Sequence, residues 1–338
     1  MESETVLLNK IHEFVSVDQI KSDSYISDPQ TLEKEIYNII TKNWLRFSSV
    51  DEETKKTLEA EIHDRVHSEE PIAILNACGG FKNPRINTAP HIDYAEVFHL
   101  LFFVNNILLK IAQIYKPGVW LEYSGDAHVA SYVDNIPVQD IDTYLNEFDY
   151  FIDIISQSLP GNVKVTHKHF SEFYDFKELI GEIESRVETE DPNSEENNKL
   201  IEKYYSRAKS NFMVRGVKDY SSLSEKELDK IIRSSVLKAY KWYDVDYEKR
   251  GEYFANKISV CNLNNFPGAY CMRSVRYQPA PPFWQGKGVV VMQNDKYFPA
   301  ILHADEYVKR GVDMEKIDIR EPVCDLPTLE TLEVFNKS

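Results

Sequence analysis

Two short polar segments in the first half of the chain contain residue types that can do chemistry on a small molecule. The first holds Lys82 and Arg85, whose cationic groups can bind a phosphate or a carboxylate. The second holds Ser124, Asp126 and His128. Asp126 can hold an amine or a sugar hydroxyl, and His128 can move protons near neutral pH. A plainer alternative also fits, in which the cations are solvated, Asp126 caps a helix and His128 packs beside it.

The elements before these segments predict that both meet at one edge of a sheet. The apolar run 72–77 precedes Lys82, and the run 119–123 precedes Ser124, with a long apolar helix pattern between the two runs. A crossover between parallel strands is right-handed in nearly all cases, so both loops end at the same edge. Open α/β sheets bind ligands at that edge. The sequence therefore predicts one crevice that all five polar residues share.

The helix between these strands has clear start and stop signals. Asp93 is followed by Glu96 three residues later, which is a capping-box arrangement. Apolar residues cover most of the helix circumference, a pattern typical of a buried helix. Pro117-Gly118 marks its end. The stretch from about 70 to 123 thus predicts a βαβ unit.

The expected fold class is α/β, with a mixed sheet, flanking helices and a helical N-terminal segment. The helical segment covers 1–66, the α/β core 67–190, and a second α/β portion that completes the sheet and the site 199–320. The other predicted elements are a helix over 140–159, a strand over 163–167, an acidic solvated linker over 182–198, helices over 198–216 and 224–242, and strands over 257–262, 272–277, 288–292 and 297–302.

Composition limits the class of protein. The 338 residues carry a net charge of −16, and 42% are apolar. This charge argues against nucleic acid and anionic membrane surfaces as partners, although a local basic pocket can still bind a phosphorylated small molecule. The four cysteines lack paired metal spacing and are expected to be reduced thiols. With no signal-peptide pattern and no apolar run of spanning length, we expect a soluble cytoplasmic protein.

Two segments in the last third of the chain are candidates to line a binding site. Arg273 and Arg276 are three residues apart, so on a strand they point to opposite faces and at most one enters a given pocket. The segment 279–286, which contains Trp284, is rich in proline and aromatic residues. It can wall a site or form a surface turn.

Cofactor motifs are absent from the sequence. His167 and His169 have a spacing seen in some metal sites, but no carboxylate or cysteine partner is evident, so we expect no metal there. There is no Walker loop, no Gly-x-Gly-x-x-Gly, no nucleophile elbow and no Cys-x-x-Cys. This argues against nucleotide-binding and hydrolase functions.

The order of these segments resembles the pyoverdine/dityrosine biosynthesis family, which includes the isocyanide synthases and their fungal dityrosine-pathway relatives. That family has an apolar strand before Phe-Pro-Phe-Lys-Ser-Pro-Asn, a Pro-Asp-x-x-Glu helix start, a long apolar helix to Ile-Tyr-x-Pro-Gly, and a strand ending in Ser-Asp-Gly before a later aspartate. The similar stretches here are Gly80-Phe-Lys-Asn-Pro-Arg85, Ile92-Asp-Tyr-Ala-Glu96, Ile114-Tyr-Lys-Pro-Gly118 and Tyr123-Ser-Gly-Asp126, with Asp134. A looser similarity covers Lys257-Ile-Ser-Val260 and Pro282-Phe-Trp-Gln-Gly-Lys-Gly-Val-Val-Val291.

The resemblance implies a Rossmann-like enzyme with no metal and no nucleotide cofactor. It implies condensation of the amine of an aromatic amino acid with ribulose 5-phosphate, in which C2 of the sugar becomes the isocyanide carbon. The implied partners are these two small molecules, with a downstream oxygenase acting on the product.

That chemistry needs a cation for the phosphate, an anchor for the amino-acid carboxylate, and acid/base groups for imine formation and elimination. From the resemblance we expect Lys82, Asp126 and His128 to be catalytic. The expected substrate-binding residues are Arg85, Glu96, Ser124, Asp134, Arg276 and Trp284.

Three departures from the family pattern keep alternatives open. Gly79-Gly80 replaces a proline-containing approach to the lysine, Ser124-Gly-Asp126 inverts Ser-Asp-Gly, and Gln285 stands where the family often has histidine. One alternative is a diverged member that makes an N-formyl amino acid or uses another amine. The other is a catalytically silent binding protein on the same scaffold.

Overall fold

The computed structural model describes residues 25–47, 51–125, 127–169, 172, 175–215, 220–253, 256–262, 269–294, 296–310, 314–319, 322 and 324–336. Residues 1–24 of the predicted helical segment and the predicted site residue Asp126 lie outside this part of the chain.

Five parallel strands form the first sheet. They are β1 Ile72–Cys78, β2 Val119–Gly125, β3 Val163–His169, β4 Ile258–Cys261 and β5 Tyr270–Cys271. Their order is β3-β2-β1-β4-β5. The central strands β1 and β2 are buried along nearly their whole length, as expected for a parallel sheet covered on both faces. The predicted βαβ unit and the α/β fold class are confirmed.

The described residues also form a set of α-helices. They are α1 Pro29–Ile40, α2 Glu52–His67, α3 Tyr94–Ile114, α4 Ala127–Val133, α5 Val138–Ser158, α6 Phe176–Glu188, α7 Glu195–Arg215, α8 Glu225–Tyr253 and α9 Ala304–Arg310. The helix predicted over 140–159 is present as α5, and its apolar stripe is buried.

The crossover helix α3 is the core helix of the fold. Asp93 caps it, and Glu96 completes the predicted capping box. Its middle turn, Val104–Leu108, is a π-helical segment. Among the described helices, α3 alone is long and apolar enough to cross a membrane by length and composition, and most of its apolar stretch is buried inside the protein.

A second sheet follows in the C-terminal part. Its strands are β6 Gly286–Gln293, β7 Lys296–His303, β8 Glu315–Asp318 and β9 Thr331–Asn336, in the order β7-β6-β9-β8. The pairs β6–β7 and β8–β9 are antiparallel, and β6–β9 is parallel. Thus β4 and β5 extend the first sheet, whereas the later strands form a separate mixed sheet.

The strand predicted over 272–277 is wrong. Only Tyr270–Cys271 pairs with β4, and the segment then bends away. The reason lies in its backbone donors, because the N–H of Met272 bonds to Cys261 and the N–H of Arg273 bonds to the carbonyl of Leu45. Arg273 and Arg276 therefore do not lie on a strand, and the prediction that they point to opposite faces of one is wrong.

The acidic linker predicted over 182–198 is also wrong. Helix α6 runs to Glu188 and α7 begins at Glu195, so only six residues separate the two helices. Leu179 and Ile183 of α6 and Ile201 of α7 are buried. The acidic residues occupy the exposed faces of helices whose apolar faces pack inward.

Candidate functional site

The carboxyl ends of the first three strands place side chains in rows on one face of the sheet. This face is the one against which α3 and α5 pack. Two successive rows consist of Asn76, Tyr123 and His167, and of Cys78, Gly125 and His169. Side chains alternate along a strand, so Ser124 points to the opposite face.

Lys82 lies in a buried ion cluster at the N-terminus of α3. Its Nζ is 2.9 Å from each carboxylate oxygen of Glu96, 3.2 Å from Oδ2 of Asp93 and 3.4 Å from the carbonyl oxygen of Phe283. The side chains of Lys82, Asp93 and Glu96 are 0% exposed. The Tyr144 hydroxyl donates to Oε1 of Glu96 at 3.1 Å. A substrate phosphate would have to displace a carboxylate to reach this ammonium group.

The same cluster fastens the second sheet to α3. Nζ of Lys287 lies 3.7 Å from Oδ2 of Asp93, and the N–H of Gly288 donates to Oδ1 of Asp93 at 3.0 Å. A Cβ atom at Gly288 would lie 2.1 Å from the backbone nitrogen of Ala95, so only glycine allows this approach. We call Lys82, Asp93, Glu96, Tyr144 and Lys287 the buried cluster.

Burial sets the proton affinities in the buried cluster. It works to raise the pKa of Asp93, but Lys82 and Lys287 outweigh it and hold that pKa below its ordinary value. Burial raises the pKa of Glu96 to about 7, with Lys82 acting in the opposite direction. Burial, followed by the charge of Glu96, raises the pKa of Tyr144 well above its ordinary value. Glu96 is therefore the member that exchanges a proton near neutral pH.

A second polar group lies at the carboxyl end of β3. Asp149 of α5 contacts two histidines: its Oδ1 is 2.7 Å from Nδ1 of His167, and its Oδ2 is 2.8 Å from Nε2 of His169. Nε2 of His128 is 3.2 Å from Oδ1 of Asp142. Asp142 and Asp149 are seven residues apart on α5, so they lie on one side of the helix. We call His128, Asp142, Asp149, His167 and His169 the edge cluster.

The edge cluster is partly open to solvent. The side chain of His167 is 1% exposed, whereas those of His169 and Asp149 are 25% and 38% exposed. Burial works to raise the pKa of Asp149, but hydrogen bonds from both histidines outweigh it and lower that pKa. Burial lowers the pKa of His167, and the bond to Asp149 raises that of His169. The group thus combines an ionised carboxylate, a neutral imidazole and a more basic imidazole, which suits acid/base chemistry.

Packed aromatic rings lie between the two clusters and connect them. The ring of Phe148 meets that of His167 edge-on with centroids 4.9 Å apart. The same ring stacks on Tyr144 and on Phe283, at 6.0 Å in both cases. Because Tyr144 belongs to the buried cluster, one packed aromatic layer joins it to the edge cluster.

Gly79 is needed for packing. A Cβ atom there would lie 2.4 Å from Nε1 of Trp284, so the indole rests directly on the glycine backbone. The carbonyl of Trp284 accepts the N–H of Asn83 at 2.9 Å. The glycine at 79 therefore accommodates Trp284 in this structure.

His99 is a buried histidine without an acid/base role. Its Nε2 accepts from the Asn76 amide at 3.0 Å, and its Nδ1 donates to the carbonyl of Ser274 at 3.2 Å. Burial lowers the pKa of His99 to about 3, so the ring is neutral at physiological pH. It stacks on Phe283 at 4.3 Å and belongs to the core.

The structure brings some of the predicted site residues together. Lys82 and Glu96 meet in the buried cluster, and His128 belongs to the edge cluster. Trp284 is buried beside the buried cluster, over Gly79.

Other predicted site residues lie elsewhere, so the described members of the predicted set do not share one crevice. Arg85 pairs with Asp305 of α9 at 2.9 Å, and Ser124 is buried on the opposite sheet face. Asp134 is half-buried just after α4, where its N–H bonds to Ala130. The exposed guanidinium of Arg276 lies 5.5 Å over the ring of Trp44, away from both clusters.

Sequence reasoning missed the acidic half of the edge cluster. His167 and His169 were set aside because no carboxylate partner was evident, and the structure supplies Asp149 from α5. The available signal was the pair Asp142 and Asp149, two helical turns apart and beside the apolar stripe of α5. Tyr144 and Lys287 of the buried cluster gave no such signal, because their partners are distant in sequence.

Comparisons with known proteins give one informative result. No protein-family model matches the chain, and no curated protein matches it significantly. Among solved structures, the crystal structure of the PvcA protein from Pseudomonas aeruginosa matches with a TM-score of 0.58. The match covers 91% of this chain and 99% of that chain, at 15% sequence identity. The chain therefore shares the fold of PvcA over nearly its whole length.

Proposed function

We propose that the protein is an isocyanide synthase-like enzyme that condenses the amine of an amino acid, an aromatic one by family resemblance, with ribulose 5-phosphate. The observation that carries this proposal is the fold shared with PvcA over 91% of the chain. The ordered motifs around Lys82, Glu96 and Gly118, which resemble the pyoverdine/dityrosine biosynthesis family, add independent support.

The edge cluster supplies the groups that the first step needs. In imine formation the amine attacks the C2 carbonyl of the sugar, a base takes the proton from nitrogen, and an acid protonates the hydroxyl that leaves as water. His169 and His128 are partly exposed imidazoles beside the carboxylates Asp149 and Asp142. We assign the proton transfers to these two histidines, because their side chains are the accessible ones at the carboxyl edge where α/β sheets bind ligands.

The buried cluster has a supporting part in this proposal. Lys82 and Glu96 are enclosed and bonded to each other, so they hold the loop 79–85 against α3. Arg85 is the partly exposed cation of that loop, and its partner Asp305 is 65% exposed. Because exposed ion pairs contribute little free energy, the pair Arg85–Asp305 adds little to the hold on this loop.

Mass spectrometry of products tests the proposal. The purified chain is incubated with the twenty amino acids and ribulose 5-phosphate labelled at C2, and a labelled isocyanide is the expected product. His169→Gln is expected to lose at least tenfold in product, while His63→Gln, on the surface of α2, is the matched control. A labelled formamide instead of an isocyanide would support the diverged alternative. No labelled product from any amino acid would contradict the proposed enzyme.

A further inference from the structure

The edge cluster contains a candidate metal-ligand set in addition to the proton-transfer groups assigned above; with an ion bound, His169 would be a ligand and His128 would remain for proton transfer. Two imidazoles and one carboxylate converge, with the ligand atoms of Asp149, His167 and His169 all within 4.8 Å of one another. We propose that these three residues bind a divalent first-row transition-metal ion, with coordination positions left open on the solvent side. Two histidines and one carboxylate form a known ligand type for such ions.

The distances fit a metal ion between the three side chains. Bonds to histidine nitrogen and carboxylate oxygen are about 2.1 Å long. With such bonds, the separations of 2.7 Å from Oδ1 of Asp149 to His167 and 2.8 Å from Oδ2 to His169 each correspond to a ligand–metal–ligand angle of about 80–85°, and one ion would take both carboxylate oxygens. Adjacent ligands of an octahedral ion are separated by about 90°, so small movements of Asp149 are enough.

The backbone holds these ligands in place before any ion binds. His167 and His169 are alternate residues of β3, so both project from the same sheet face, and β3 is fixed by its full register with β2. Asp149 lies in the middle of α5, between the buried residues Phe148 and Ile152. Rigid elements of this kind lower the entropy cost of assembling a site.

The two ends of the cluster differ in access. His167 is 1% exposed and lies against Phe148, while Asp149 and His169 are more than 20% exposed. An ion would therefore have protein on one side and solvent on the other. Its open positions would accept water or the oxygen atoms of a hydroxy ketone or an amino-acid carboxylate.

One feature of His167 sets the expected strength of binding. When a metal takes Nδ1 of a neutral imidazole, the ring proton moves to Nε2. Nε2 of His167 is buried without a hydrogen-bond partner among the described residues. Missing support for the second ring nitrogen weakens metal sites by about 10–100-fold. We therefore expect weaker binding than at sites whose second ring nitrogen is hydrogen-bonded.

A second His/Glu group in the chain provides the matched comparison. In the surface group, Oε1 of Glu33 is 3.2 Å from Nδ1 of His63 and 3.2 Å from Nε2 of His67. Both histidines are on α2, with side chains 55% and 53% exposed. This group also combines two histidines with a carboxylate but lies on the helices α1 and α2 that precede β1, so it reports metal binding by exposed histidines.

Titration with Co²⁺ tests the proposal, since its visible absorption reports protein ligands. The full chain is first freed of metal with a chelator, and no substrate is added, so the result does not depend on the proposed function. We expect one ion per chain at the edge cluster. His169→Ala is expected to weaken binding at least tenfold, and the double variant His63→Ala/His67→Ala to leave this binding unchanged.

Two further measurements distinguish a lost metal ligand from a loss of folding. Circular dichroism establishes that His169→Ala is folded, and Asp149→Asn, which keeps the size of the side chain, is expected to reduce binding in the same way. Absence of Co²⁺ binding by the wild-type chain would overturn the proposal. Binding that survives His169→Ala and disappears in His63→Ala/His67→Ala would also overturn it, because the ion would then lie at the surface group.

Discussion

The buried cluster and the edge cluster are built from similar groups and differ in their access to solvent. In the buried cluster, Lys82 is enclosed by Glu96, Asp93 and a carbonyl group, and its side chain is 0% exposed. In the edge cluster, Asp149 holds two histidines and is 38% exposed. Charges without access to solvent hold elements together, whereas similar charges at a sheet edge can meet a ligand.

The difference also appears in what each cluster connects. The buried cluster joins four parts of the chain: the loop after β1, the start of α3, helix α5 and strand β6. The edge cluster joins only β3, α4 and α5, which are neighbours in sequence. Loss of the first is therefore expected to affect global stability, and loss of the second mainly chemistry.

Removal of the buried cation is expected to have the largest effect. Lys82→Met leaves the carboxylates of Asp93 and Glu96 buried without their main counter-ion, and breaking a buried ion pair on one side costs about 3–5 kcal/mol. Urea unfolding measures this loss. The control is Lys199→Met, which removes an ion pair whose partners are 73% and 85% exposed and should not change stability measurably. A loss below about 1 kcal/mol for Lys82→Met would contradict a structural role of the cluster.

A methyl group at the contact between β6 and α3 should be the next most damaging change. In Gly288→Ala the new Cβ would lie 2.1 Å from the backbone nitrogen of Ala95, where no flexible side chain can move aside. We expect a loss of about 2–3 kcal/mol in the free energy of unfolding. Gly181→Ala is the matched control, because its Cβ would meet no atom within 4 Å inside α6, and it should stabilise the protein. Equal melting temperatures for the two variants would be inconsistent with this packing.

Protonation of Glu96 should make stability depend on pH. Because burial raises its folded pKa to about 7 from 4.5, the folded protein binds more protons than the unfolded chain between these values. Its contribution to stability therefore falls as pH rises, by about 2 kcal/mol between about pH 5 and pH 7.5. The measurement is the free energy of unfolding of the wild type minus that of Glu96→Gln at each pH. A difference that does not change with pH would show that Glu96 titrates normally.

The edge cluster should show the smallest effect on stability. The bond between His169 and Asp149 raises the folded pKa of His169. The stabilisation from this bond is therefore present below the unfolded pKa of His169 and is lost as pH rises through its folded pKa. Since His169 is partly exposed, we expect His169→Gln to cost at most about 1 kcal/mol, and more near pH 6 than near pH 8. Thermal melts at both pH values measure this difference. A larger loss at the higher pH would contradict the assigned ion pair.

Local sequence patterns were sufficient for most of the first sheet. The βαβ unit, the Asp93–Glu96 capping box and the inner stripe of α5 depend on residues close in sequence, and the structure contains all of them. The strand over 272–277 failed because Arg273 donates its N–H to Leu45, a contact across more than 200 residues that no local pattern contains.

The site was less predictable than the fold. The family resemblance assigned both Lys82 and Glu96 to the site, but it did not show that Phe283 and β6 would enclose them. It also contained His167 and His169 without revealing Asp149, because that carboxylate comes from a different element. Spacing along one strand or helix is a local property, while burial and cross-element pairing depend on tertiary packing.

The most direct test of this account is ligand binding observed at individual histidines. The chain has nine histidines, and their imidazole carbons can be followed by NMR with selective ¹³C labelling and assigned with single His→Gln variants. On addition of ribulose 5-phosphate, we expect the signals of His128 and His169 to shift, while those of His63 and His67 on α2 stay unchanged. Unshifted signals of both edge-cluster histidines at saturating sugar phosphate would contradict the assignment of this edge as the substrate side of the protein.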